Sequence, residues 1–316
     1  MRTILITGGA GFIGSALAER AIEDNDNYVV IVDDLSTGSM AKLPDMPKNN
    51  WRFIKCDVNN FGDISGIMQT FRFDYVFHYA AVVGVERTQE NPVTVLHDVH
   101  GIENILRSCK NTGVKRIYYS SSSEVYGEPV VLPQNEDTTP LNSRVPYAVV
   151  KNLGEAFLKS YKKEFGLDYT IFRFFNTYGP KQSKDFVMSR FIALALKHQD
   201  ILIYGNGEQT RTFCYIDDNI EATYNHFLGA VVNGHEKNEV INIGSDTETS
   251  ILELAQVIIS LTGSKSRIIH VAPLPEGDMC RRLPDVTKMK KILRKPPVPL
   301  VEGIKKILEN PFFLSF

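Results

Sequence analysis

Tyr147 and Lys151 stand four residues apart in Pro146-Tyr147-Ala148-Val149-Val150-Lys151. On a helix that spacing puts a phenol and an ammonium on one face. A tyrosine phenol, with a pKa of about 10, is mostly protonated at neutral pH, and a nearby cation favours the phenolate and lowers that pKa. Upstream lies Ser120-Ser121-Ser122-Ser123-Glu124, in which any of the four hydroxyls is able to orient a transferred proton. The set is suited to taking a proton from an alcohol while the alcohol's hydride leaves for another acceptor.

The N-terminus supplies the acceptor's site. A β-branched run, Thr3–Thr7, leads into Gly8-Gly9-Ala10-Gly11-Phe12-Ile13-Gly14, which opens a helical pattern. Gly9, Gly11 and Gly14 satisfy G-x-G-x-x-G, and Gly8, Gly11 and Gly14 satisfy G-x-x-G-x-x-G. Glycines there permit a tight turn and close backbone approach, and the helix N-terminus receives a pyrophosphate. Gly8, Gly11, Phe12, Ile13 and Gly14 are therefore the expected cofactor contacts. Asp33 ends the next strand. It would accept hydrogen bonds from a ribose 2′-hydroxyl and repel a 2′-phosphate, which favours NAD(H) over NADP(H). Asp57, after the third strand, either contacts the adenine amine or caps the following segment. Val58 beside it, and Ala80 past the fourth strand, complete the cofactor set.

These residues need a scaffold. Strands are predicted at Thr3–Thr7, Tyr28–Val32, Trp51–Lys55, Tyr75–His78, Arg116–Ser120 and Tyr169–Phe174. Helices are predicted between them at Ile13–Glu23, Ile64–Phe71, Pro92–Thr112 and Pro146–Phe165. Such alternation implies an α/β fold, a Rossmann-type doubly wound parallel sheet. Past the breaker cluster Asn176-Thr177-Tyr178-Gly179-Pro180 the pattern changes. Helices are expected at Phe186–Lys197, at Ser250–Leu261 with Ser250 and Glu253 as a capping box, and from an Asp285 cap to Leu293. The division is residues 1–176 for the dinucleotide domain, with room for a return segment around 212–245, and 177–316 for a smaller α/β domain.

Bulk properties exclude other classes. The 316 residues carry a formal net charge of -2, with 43% hydrophobic and 23% charged residues, which gives no global bias toward nucleic acid or anionic membrane. No apolar run approaches a membrane span, and the apolar stretch at the N-terminus is too short for a signal-peptide core. Cys56, Cys109, Cys214 and Cys280 are scattered without a CxxC, so neither a disulfide framework nor a metal site is expected, and a cytoplasmic protein with reduced thiols fits best.

The chain resembles the extended short-chain dehydrogenase/reductases that modify nucleotide sugars. The markers run in order over essentially the whole length: Thr7–Gly14, Asp33, His78-Tyr79-Ala80-Ala81, Ser122–Gly127, Tyr147 with Lys151, Arg173–Pro180, Gln209–Asp217 and Arg281–Asp285. The resemblance implies NAD-dependent oxidation of a sugar C4 hydroxyl, with Tyr147 as base and Lys151 on the nicotinamide ribose. It selects Ser122, five residues before Gly127, as the catalytic hydroxyl. It implies that Asn176 and Arg211 hold the phosphates of a nucleoside-diphosphate sugar, a role suited to arginine's planar fork. It also implies a homodimer paired through Pro92–Thr112 and Pro146–Phe165.

The family branches after the 4-ketone forms, into 4-epimerases, 4,6-dehydratases, UDP-glucuronate decarboxylases and net 4-dehydrogenases. The pair Ser123-Glu124 resembles the decarboxylase pattern, although GDP-mannose dehydratases share it. Arg282 matches an arginine important in decarboxylases, and it serves equally as a structural ion pair. A UDP-glucuronate decarboxylase-like activity is the leading expectation. Three features depart from that pattern: the stretch Ala80–Thr88, the segment after Pro180, and Asp98 where the family usually has Asn. A non-catalytic NAD(H) sensor, the alternative of another class, would be expected to lose Tyr147 or Lys151, and both are kept.

Overall fold

The computed structural model describes residues 1–233, 237–272 and 281–315, so Cys280 lies outside the described residues. Its centre is a seven-stranded sheet. The strands are β1 (Arg2–Thr7), β2 (Asn27–Asp33), β3 (Trp51–Lys55), β4 (Tyr75–His78), β5 (Arg116–Ser122), β6 (Asp168–Phe174) and, much later in the chain, β11 (Glu239–Ile243). They are parallel throughout, in the order β3-β2-β1-β4-β5-β6-β11. The order reverses between β1 and β4, the crevice where sheets of this kind receive ligands beyond their carboxyl ends.

Both faces of the sheet are covered, which explains why its strands read as continuous apolar runs. Ile4, Ile6, Val29 and Ile31 enter one core, and Leu5, Val30 and Val32 enter the other. The first core is closed by α1 (Phe12–Glu23) and α7 (Ile216–Asn233), through Leu17, Ala18, Ala222 and Phe227. The second is closed by α2 (Phe61–Phe71), α4 (Pro92–Thr112) and α5 (Pro146–Phe165), through Met68, Ile105, Val150 and Leu158. A short helix α3 (Val85–Glu90) precedes α4.

Several of the remaining elements extend the first core, and α9 (Thr287–Leu293) packs against α7 and β11. β7 (Thr177–Tyr178) pairs with β10 (Cys214–Tyr215), and β8 (Ile201–Tyr204) with β13 (Ile268–Val271). β9 (Thr210–Thr212) runs antiparallel to β12 (Glu248–Ser250). α6 (Val187–Leu196) and α8 (Ile251–Thr262) pack together through Phe191, Ile192, Leu254 and Ile258, and α9, α10 (Leu300–Leu308) and α11 (Pro311–Leu314) follow.

The helices at 92–112 and 146–165 coincide with their predicted spans. Each has proline in its first turn and ends on a glycine in the left-handed region, Gly113 or Gly166. Ser250 and Glu253 form the expected capping box. Other edges moved. β5 runs two residues further, to Ser122, because β6 pairs with it along that whole length. α2 begins at Phe61, since the Asn60 side chain already caps Gly62. Asp285 accepts from the Thr287 amide at 2.9 Å, but the helix itself begins at Thr287. Neither α3 nor the short strand pairs beyond residue 176 were legible in the periodicity.

Candidate active site

The glycine loop is shaped by close approach. Gly8 has φ +66°, and a Cβ there would lie 2.7 Å from the Ala80 amide nitrogen. A Cβ on Gly14 would collide with the Gly8 carbonyl, so the first turn of α1 lies directly against the loop. Gly11 caps that helix with no side chain, and its first turn carries no acidic residue. The amides of Phe12 and Ile13 belong to that open turn, an end suited to an anion. Thr7 supports it from below: its hydroxyl accepts from the amides of Tyr79 and Ala80, both at 3.1 Å, and contacts His78 Nδ1 at 2.8 Å. Burial pushes the His78 imidazole down to about 3, and the Lys151 cation acts the same way, so His78 is neutral.

Asp33 lies at the end of β2, where its carboxylate accepts from Ala10 N at 3.0 Å and Leu35 N at 2.9 Å. It thereby ties the loop to the second strand while each oxygen retains a further lone pair for a ribose hydroxyl. Burial raises its pKa and the two amides oppose the rise. Asp57 accepts from Asn59 N at 2.8 Å, the local turn role, and also lines a cleft of about 650 Å³ with Asp34, Thr37, Val82 and Asp98. Val58 is buried beneath it, its carbonyl taken by Asn104. These features fit a dinucleotide: an uncapped helix start, a backbone cradle that side chains would fill, and a carboxylate at the ribose end.

Helix α5 grips β5 serine by serine. The Ser122 hydroxyl acts on the Tyr147 phenol and holds its pKa down. One turn on, Lys151 Nζ donates to the Ser120 carbonyl at 2.7 Å. A further turn on, Glu155 accepts from Ser121 Oγ at 2.7 Å. The three serines, indistinguishable on their own chemistry, are thus given different partners, and only Ser122 meets the phenol. Ser123 is buried at the start of the next turn.

The depressed phenol pKa expected from the sequence is opposed by burial. Burial pushes the Tyr147 phenol above its ordinary value; the Ser122 hydrogen bond opposes this and Glu124 adds to it. Burial also lowers Lys151 to about 8, and the Asp98 carboxylate opposes that. The reason is physical. A nearby ammonium lowers a phenol's pKa only when it outweighs desolvation, and here the ammonium is itself desolvated and turned to a carbonyl.

Glu124 and Arg282, 158 positions apart in the chain, meet: Arg282 Nη2 lies 2.6 Å from Glu124 Oε1. Arg282 is 6% exposed, and its Nε has no hydrogen-bond partner among the described residues. Both charges act on the Tyr147 phenol, Glu124 raising its pKa and Arg282 lowering it. Sequence reading named both residues but gave no sign that they touch.

Asn176, at φ 28°, donates to the Thr212 carbonyl at 3.0 Å, and its own carbonyl accepts from Cys214 N at 3.2 Å. This draws the loop after β6 against β9, where Arg211 stands buried with Nη1 on the Thr210 carbonyl at 2.8 Å. The two expected phosphate residues are therefore on adjoining segments. Asp98 accepts from Val82 N at 2.7 Å, pinning the start of the unusual pocket stretch, and burial raises its pKa. Glu155 and Arg173 were missed as a pair. Their signal was the continuation of the i, i+4 series from Tyr147 through Lys151 to Glu155 on one helical face.

Comparison with known proteins agrees with this geometry. A family model described as the NAD dependent epimerase/dehydratase family matches residues 4–244. A UDP-N-acetyl-alpha-D-glucosaminuronate decarboxylase of Bacillus cytotoxicus is 38% identical, covering 96% of each chain. A Methanocaldococcus jannaschii protein named provisionally as a UDP-glucose 4-epimerase is 36% identical over 96% of this chain and 97% of its own. The crystal structure of a Thermotoga maritima UDP-glucose 4-epimerase with UDP-glucose superposes with a TM-score of 0.88 at 32% identity, covering 99% of this chain and 98% of that one. With a glycine cradle, a strand-end aspartate and a tyrosine–lysine–serine cluster on one doubly wound sheet, the chain belongs to the NAD-dependent epimerase/dehydratase family.

Proposed function

We propose that the protein oxidises C4 of a nucleoside-diphosphate hexuronate and then decarboxylates it, as UDP-glucuronate decarboxylases do. The observation that carries this reading is the Arg282–Glu124 pair, 2.6 Å apart, whose charges both act on the Tyr147 phenol. A buried guanidinium with an unfilled Nε suits a substrate carboxylate, and the adjacent glutamate suits proton exchange at C5. A neutral sugar that only inverts at C4 needs neither.

NAD+, which Gly8, Gly11, Phe12, Ile13, Gly14 and Asp33 would hold, would supply the hydride acceptor for C4 and the hydride for its later reduction. Tyr147 receives the C4 hydroxyl proton, with Ser122 bonded to the phenol so that the proton's path is fixed. Lys151 supplies positive charge beneath that phenolate as it forms. Once C4 is a ketone, the C6 carboxylate is β to it. The C5–C6 bond breaks, its electron pair enters the C4 carbonyl as an enolate, and CO2 leaves. A proton is then added at C5, from Glu124 or from a water it holds. Asn176 and Arg211 tether the diphosphate.

The test is a panel of nucleotide sugars with NAD+, read by mass spectrometry. Loss of 44 nominal mass units from UDP-glucuronate (CO2, by chemical formula) is the expected result. An unchanged mass with altered NMR couplings would establish instead the second reading, 4-epimerisation, which the M. jannaschii and T. maritima relatives favour.

We further infer a homodimer. Helices α4 and α5 pack side by side and present Val93, Leu96, Val149 and Leu153 to solvent, apolar surface suited to a second copy. A monomeric mass at micromolar concentration would refute it. Among the described residues no helix is long and apolar enough to cross a membrane. The buried free thiols Cys56, Cys109 and Cys214 support a reducing, cytoplasmic setting.

A further inference from the structure

A chain of buried polar groups runs behind the site. Glu155, 1% exposed, holds Arg173 through two bonds, Nε to Oε1 at 2.9 Å and Nη2 to Oε2 at 2.7 Å, besides the bond from Ser121. Lys159 reaches the same carboxylate at 3.8 Å from the surface. Arg173 Nη1 donates onward to the Tyr126 hydroxyl at 2.8 Å, which donates to Asn242 Oδ1 at 2.8 Å. Asn242 Nδ2 donates to the carbonyls of Gln134 at 2.9 Å and Asp285 at 3.2 Å. Gln134 is zipped to the segment after Arg282: its amide donates to the Leu283 carbonyl at 2.7 Å, and its carbonyl accepts from Asp285 N at 2.8 Å. The ends of this chain are therefore the helix of Tyr147 and the strap of Arg282. Its middle member, Tyr126, shares a turn with Glu124.

Such a chain is a poor way to gain stability alone, because apolar residues of similar volume usually do as well as a buried ion pair. What it supplies is direction. Every link is satisfied in one geometry, so the strap cannot slide relative to α5 without breaking a buried bond. We propose that Glu155, Arg173, Tyr126 and Asn242 are positioning residues that register the Arg282–Glu124 pair against Tyr147 for the step that follows C4 oxidation. They touch no reacting atom and act through Arg282. The proposal deepens the reading of that pair given above and rests on it for the order of the steps.

The test uses the holoenzyme with UDP-glucuronate, or with whichever nucleotide sugar the wild type turns over. Tyr126→Phe removes only the hydroxyl that joins Arg173 to Asn242. The absorbance rise at 340 nm reports C4 oxidation, and product formation reports the later step. The expected result is an unchanged first phase and turnover about tenfold slower, the rate equivalent of one neutral hydrogen bond. In a double-mutant cycle, Arg282→Lys should erase that tenfold loss, because the hydroxyl then has no aligned guanidinium to position. Asn242→Ser, which cuts the next link, should reproduce the same partition and serves if Tyr126→Phe fails to fold. Equal slowing of both phases, or losses that multiply in the cycle, would overturn the proposal. A wild-type product that retains CO2 would overturn the decarboxylase reading while leaving the cycle interpretable.

Discussion

Glu124→Gln separates the two halves of the proposed reaction. The substitution keeps an oxygen to face Arg282 Nη2 but removes the charge and the capacity to carry a proton. Arg282 is nearly sealed from water, so its guanidinium loses its charged partner in a place where solvent cannot replace it. A charge-assisted hydrogen bond is worth about 1.5–3 kcal/mol and a neutral one about 0.5–1.5, so the fold loses roughly 1–1.5 kcal/mol. For a chain of this size that is a fall in Tm of about 2 °C. The kinetic effect is larger. Glu124 raises the Tyr147 phenol's pKa, so neutralising it eases formation of the phenolate, and C4 oxidation should proceed at least as fast. A positioned acid or base contributes about 10²- to 10⁴-fold, so the later proton transfer should slow by at least about 10². Rapid mixing of the variant with UDP-glucuronate should show a full burst at 340 nm followed by a stalled intermediate, with product measured by mass spectrometry. A burst slowed as much as turnover would assign Glu124 to the first step. Unaltered turnover would reduce it to a loop carboxylate, and either result would refute the reasoning.

Tyr147→Phe should leave far-ultraviolet circular dichroism and NAD+ binding intact and lower turnover by at least about 10²-fold, because the group that takes the C4 proton is gone; near-normal turnover would sink the mechanism. Lys151→Met should abolish activity yet stabilise the fold. Burial lowers Lys151 from its ordinary value of 10.5 to about 8 in the folded chain, so below about pH 8 both states are protonated and the burial cost is complete, while from 8 to 10.5 the unfolded chain binds more protons and stability rises with pH. Urea denaturation should therefore show a gain of about 1–3 kcal/mol for the variant at pH 7 that shrinks by pH 10, and a gain that does not depend on pH would contradict this account. Gly14→Ala forces a Cβ into the Gly8 carbonyl and should weaken NAD+ binding in calorimetry by about tenfold or more, at about 1–3 kcal/mol of strain; wild-type affinity would mean that the loop does not hold the cofactor.

Local chemistry and periodicity were enough, in the sequence, for six of the seven strands of the central sheet, though not for β11, and for the glycine turn and the face shared by Tyr147 and Lys151. Each depends on neighbours within a few residues: β-branched runs buried on both faces, glycines before a helix, and 3.6 residues per turn. The short strand pairs beyond residue 176 were not legible, because strands of two to four residues take their order from partners far along the chain. Nor was the choice among Ser120, Ser121 and Ser122 legible from their chemistry, since it follows from which turn of α5 faces which serine. Tertiary structure alone also decided the sign of the tyrosine's pKa shift, because desolvation is a property of the packed site and not of the i, i+4 spacing. It likewise joined Glu124 to Arg282, two charges that the sequence holds far apart and the fold brings to 2.6 Å of each other.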